Sequence, residues 1–129
     1  MIKLGFDPKK WLAKKARKGA RSYPVGTIAF YGPDNQRASK LVAAVIMVPD
    51  GEAEPMKKWF DDARDLRTDG AVMEEVAHFF RAEGVHSVAM ADSIMGCPHE
   101  EVIDYPQGEK CPRCPFWAIR DRFTHEIVQ

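Results

Sequence analysis

Apolar positions along this chain change period several times, and each change predicts an element. Trp11, Leu12 and Ala16 recur at helical spacing between Asp7-Pro8 and Gly19, on a segment otherwise covered by Lys9, Lys10, Lys14, Lys15, Arg17 and Lys18. Asp can accept hydrogen bonds from the free amides of a first turn, Pro there loses nothing by lacking an N–H, and Gly suits a stop. A thin amphipathic helix is predicted. Val25 to Tyr31 then carries β-branched and aromatic residues between Pro24 and Gly32-Pro33-Asp34-Asn35, which predicts a strand ending in a turn. Lys40 to Val48 is apolar on both faces, as in a central strand, and the short polar connection predicts an antiparallel hairpin closed by Pro49-Asp50-Gly51.

From Pro55 the spacing of Met56, Trp59, Phe60, Ala63 and Leu66 is helical and predicts a second helix. Asp69 is placed to cap a third, whose stripe is Val72, Val76, Phe79 and Phe80 and whose end is Gly84. Val85 to Ala91 reads as a third strand, with a functional loop starting at Asp92 and Ser93. Positions 116–128 fit a short helix or an edge strand equally well. The expected fold is α+β, a single domain over 1–129, with a small mixed sheet of a hairpin plus a third strand and helices packed on it. Residues 1–21 form its basic N-terminal helix and 92–117 its metal-binding loop.

Length and composition agree with this. The chain has 129 residues, 45% hydrophobic and 29% charged, enough for one core and far from the profile of disorder. The longest apolar run, Leu41 to Val48, is well short of the about 20 residues of a spanning helix, so no membrane association is expected. A basic start without an apolar stretch of signal length points to the cytoplasm. In that reducing compartment clustered cysteines read as metal ligands.

All three cysteines lie in one segment, Cys97-Pro98-His99 followed by Cys111-Pro112-Arg113-Cys114. CxH and CxxC are two claws of soft donors, and Cys97, His99, Cys111 and Cys114 complete a tetrahedral shell for zinc with no cysteine left over. Arg113 and Lys110 add positive charge that favours thiolates. A Pro-rich polar loop is a poor place for merely buried small residues. Two other metal readings stay open. CPH with CPRCPFW looks like the two loops of a Rieske protein with Cys114 in place of the second histidine, which would give a Cys3His [2Fe-2S] electron carrier. His99-Glu100-Glu101 with CxxC contains the HxE…CxxC string of zinc deaminases, which would give a metal-dependent hydrolase or deaminase-like enzyme using Glu100 or Glu101. Against it, eleven residues between the halves are too few for that family's connection, and Cys97 fills the position a catalytic zinc leaves for water.

The stretch GCPHEEVIDYPQGEKCPRCPFW, with ARSYPVGTIAFYGPDNQRASK upstream, resembles an uncharacterised family of small bacterial proteins sharing GCPHEE, DYP and CPxCPFW blocks. The resemblance implies metal binding at the same four residues and no particular reaction.

Zero net charge hides an asymmetry: residues 1–49 hold ten Lys or Arg against Asp7 and Asp34, a balance of +8, and the remainder carries −8. The basic first helix, with Arg21 behind it, could meet nucleic acid or an acidic protein surface; as a plain solvated face it would dock through Trp11 and Leu12 alone. Arg37, Ser39 and Lys40 together could hold a phosphate, although the turn residues around them explain most of that loop. His78, His86 and His125 receive no role. The favoured function is a small cytoplasmic zinc-binding protein with a structural site and an interaction role, possible nucleic-acid binding included.

Overall fold

The computed structural model describes residues 6–19, 21–100, 102–118 and 127, with Asp92 as backbone only. The elements run α1 (Pro8–Arg17), β1 (Val25–Tyr31), β2 (Lys40–Ile46), β3 (Ala53–Phe60), a 3-10 turn (Leu66–Thr68), α2 (Gly70–Ala82), β4 (Ser87–Ile94) and α3 (Pro115–Ala118). Among the described residues the strands form one sheet in the order β3-β2-β1-β4. The Ser39 amide donates to the Tyr31 carbonyl at 2.8 Å and that of Asp61 to the Ser39 carbonyl at 3.0 Å, so β1, β2 and β3 are a meander of antiparallel neighbours. Bonds from His86 to Pro24, Met95 to Phe30 and Gly32 to Gly96 climb together in both strands. β4 therefore runs parallel to β1, and the sheet is mixed.

The α+β class, the hairpin and the interior position of β2 agree with the sequence reading. The helix expected from Pro55 does not form; that segment is β3, so the sheet has four strands where a hairpin plus one was expected. Met56, Trp59 and Phe60 match a helical stripe by spacing, but backbone pairing to β2 takes the segment as an edge strand. Pro55, Lys57 and Lys58 are residues natural edges use to block further pairing. The strand predicted from Val85 begins two residues later, because Val85 still serves the helix. Its amide reaches the Phe80 carbonyl at 3.0 Å while Gly84, at φ +73°, reaches Arg81 at 3.1 Å, a Schellman stop.

Two compact units emerge. The first comprises Met1–Ile28, Val42–Lys58 and Thr68–Met90. Asp7 caps α1 through the Lys10 amide, and Asp69 caps α2 through the amides of Ala71 and Val72, as the sequence predicts. The helices pack on each other, with Leu12 buried and the Phe6 ring 6.0 Å from Trp11, 4.9 Å from His78 and under the Arg81 guanidinium. Phe80 is fully buried, worth about 2 kcal/mol by area. Its ring lies where a Cβ on Gly26 would be, 2.8 Å away, so that glycine makes room for it.

The second unit comprises Ala29–Leu41, Trp59–Arg67 and Ala91–Gln129. Leu41, Leu66 and Ile94 are fully buried there. The Asp65 carboxylate forks onto the Arg67 guanidinium at 2.7 and 3.0 Å and accepts the Ala38 amide at 3.1 Å. Arg37 donates to the carbonyls of Asp61 and Arg64, at 3.2 and 3.3 Å, and Arg67 to that of Gln36 at 2.8 Å. These bonds tie the β1–β2 loop to the segment after β3.

Candidate metal centre

The donor loop leaves β4 at Ile94 and is fastened at once to the β1–β2 hairpin. The Met95 amide donates to the Phe30 carbonyl at 2.7 Å, and the Gly96 carbonyl accepts from the Gly32 amide at 2.9 Å. Cys97-Pro98-His99 then folds tightly enough for the His99 amide to reach the Cys97 sulfur at 3.3 Å. Beyond it, the Glu100 amide donates to the Asp104 carboxylate and the Val102 amide to the Tyr105 carbonyl, each at 2.7 Å, closing a turn with Val102 at φ +78°. The chain returns through Lys110, whose ammonium meets the Ala118 carbonyl. Cys111 to Cys114 makes a turn into α3, and the Trp117 indole N–H donates to the Gly32 carbonyl at 2.8 Å.

The four predicted donors come together. His99 Nδ1 is 3.2 Å from the Cys97 sulfur, 3.3 Å from that of Cys111 and 3.5 Å from that of Cys114. The sulfurs of Cys97 and Cys114 are 3.3 Å apart, far beyond a bond, and all three cysteines are free. All four donor atoms lie within 4.8 Å of one another. Tetrahedral zinc bonds of about 2.3 Å to sulfur and 2.0 Å to nitrogen put donors about 3.5 to 3.8 Å apart, so this group can hold one metal ion after shifts of about 1 Å or less. His99 presents Nδ1, so its other ring nitrogen faces away from the sulfurs.

Burial acts on two of the thiols. Cys114 is 1% exposed, and burial pushes its thiol well above the ordinary range, with the neighbouring Cys97 sulfur adding to the shift. Burial also raises Cys97, partly offset by the His99 amide. Thiols held up in this way become thiolates when a cation supplies the charge, so ion binding here releases protons.

The enzyme reading located its chemistry in Glu100 and Glu101. Glu100 is instead paired with Lys40, at 3.2 Å, and Glu101 lies outside the described residues. His78 pairs loosely with Glu74 and the exposed His86 bonds through its backbone, both in the first unit; His125 lies outside the described residues. The phosphate reading of Arg37, Ser39 and Lys40 fails, because Arg37 is spent on carbonyls while Lys40 turns to the donor loop. Sequence reasoning missed that Lys40, Gly32 and Trp117 support the donor set, having read Lys40 as a phosphate candidate and Gly32 as a turn residue. A lysine opening an otherwise apolar strand was the available signal for the first. No helix among the described residues is long and apolar enough to cross a membrane. No family model, curated protein or solved structure matches this chain.

Proposed function

We propose that this chain is a cytoplasmic zinc-binding protein in which Cys97, His99, Cys111 and Cys114 hold a structural ion, and that its role is interaction rather than catalysis. The observation that carries the reading is the mutual closeness of the four donors, all within 4.8 Å. They surround the volume of a single ion, whereas a [2Fe-2S] cluster needs its ligand pairs at opposite ends of two irons. Four protein donors also leave no position for a reacting water. Membership of the bacterial family sharing the GCPHEE and CPxCPFW blocks is part of the same proposal, on the resemblance of those blocks, which contain the four donors.

Metal analysis of the purified protein with its visible spectrum tests the reading. About one zinc per chain in a colourless sample is expected, the stoichiometry of one tetrahedral site, with binding abolished in Cys111→Ser and Cys114→Ser. A brown sample would move the assignment to iron–sulfur. Three protein ligands and a bound water would move it to hydrolysis.

A second reading concerns α1. Lys9, Lys10, Lys14, Arg17 and Lys18 are exposed, and none is paired with an acid among the described residues. This face suits a polyanion such as nucleic acid, or an acidic protein surface. Retention on nucleic acid that weakens with salt supports it, and none at low ionic strength removes it.

A further inference from the structure

A buried lysine opening a strand of apolar residues needs a reason, because an ammonium taken from water is costly unless it is paired and hydrogen-bonded. Lys40 is only 5% exposed. Its Nζ donates to the Pro98 carbonyl and to the Glu100 carboxylate, both at 3.2 Å, and stands 5.5 Å from the Tyr31 ring centroid and 5.7 Å from that of Phe60. The two hydrogen bonds span about sixty residues of sequence, and Tyr31, Phe60, Pro98 and Glu100 all belong to the second unit.

The two oxygens it holds are not arbitrary. Pro98 separates the donors Cys97 and His99, and Glu100 follows His99 directly. One ammonium thus grips the chain on both sides of the only imidazole in the donor set. The rings of the half-buried Tyr31 and the exposed Phe60 stand within cation–π range of the ammonium and add a weaker attraction. Without the ammonium, the Pro98 carbonyl and the Glu100 carboxylate would lose the shared donor that ties them to β2.

We propose that Lys40 is the positioning residue of the metal centre, and that its ammonium presets the CxH half so that Cys97 Sγ and His99 Nδ1 are in place before the ion arrives. The proposal rests on the metal reading above. Outer groups that orient ligands typically change metal affinity by about 10- to 100-fold when removed.

The experiment compares zinc affinity by chelator competition, and the cobalt(II) spectrum, for wild type, Lys40→Met, Glu100→Ala and the double variant. Lys40→Met keeps the stem against the rings and is expected to weaken zinc by about 10- to 100-fold and to shift the cobalt bands. Glu100→Ala should weaken it less, and the double variant should be no worse than Lys40→Met, because both remove one grip. Unchanged affinity in Lys40→Met, with only a lower melting temperature of the metal-free protein, would make Lys40 a packing residue and overturn the proposal. Strictly additive losses would overturn it too. If Lys40→Met does not fold, Glu100→Ala decides, and wild-type affinity there defeats the idea. A wild-type chain without the thiolate-to-cobalt band refutes the metal reading itself, a failure visible before any variant is made.

Discussion

Gly32 holds both halves of the donor set at once, its N–H on the Gly96 carbonyl before Cys97 and its carbonyl under the Trp117 indole after Cys114. A Cβ there would collide with the Arg37 carbonyl oxygen, so the site can be only glycine without moving the loop. Gly32→Ala is expected to cost about 2 to 4 kcal/mol in denaturant unfolding, the range of a backbone collision that cannot relax, and to weaken zinc binding with it. Asp65 offers a test by pH. Hydrogen bonds from the Arg67 side chain, then the amides of Ala38 and Arg67, hold its carboxyl at about 2 against an ordinary 3.8, despite the opposing effect of burial. A folded-state value below the unfolded one means stability that is present above about pH 4 and lost as pH falls toward about 2. The stability difference between wild type and Asp65→Asn should therefore be constant at neutral pH and shrink across that acid window. A difference that stays flat to pH 2 would remove Asp65 from the account.

Where capping chemistry and period agree, the element was legible: α1 between Asp7 and Gly19, and α2 between Asp69 and Gly84, lie where the sequence puts them. β3 was not, because Met56, Trp59 and Phe60 satisfy helical spacing, and only long-range pairing with β2 decides against it. The donor set was legible for the opposite reason, since its chemistry is local to two short claws. Its supports were not, because Gly32 and Lys40 meet it from some sixty residues away or more. α1 carries a prediction of its own. Leu12 is buried and the Trp11 ring meets Phe6, while Lys14 and Lys18 are exposed. Burial, then the charges of Lys18 and Lys14, push the Lys15 ammonium below its ordinary value, so this face repels itself. Lys14→Glu with Lys18→Glu relieves that repulsion but places acids near a helix C-terminus, and the two effects should leave stability within about 1 kcal/mol of wild type. Circular dichroism and a thermal melt check it. If the face serves a polyanion, the same variant loses salt-sensitive retention without losing the fold.

The balance of +8 in residues 1–49 against −8 beyond them means that the chain presents opposite charges from two stretches of its length, while its second unit is closed by a polar loop with few large apolar residues. Such a loop has little burial to hold it, and a structural zinc supplies about 10 kcal/mol where a whole domain is stable by about 5 to 15. Removing the ion should therefore cost the second unit most of its order. A strong chelator is expected to lower the melting temperature sharply and to change the near-ultraviolet signal of Trp117, whose indole N–H is held by Gly32. In hydrogen exchange, the amides of Gly32, Met95 and Val102, which bond within or onto the donor loop, should lose protection first. Those in the interior of α2, shielded by the buried Val76, Ala77 and Phe80 of the first unit, should lose it last. A melting temperature and exchange pattern unchanged by chelation of a zinc-loaded sample would mean that the ion does not organise the loop, and the structural role assigned to it would have to be given up.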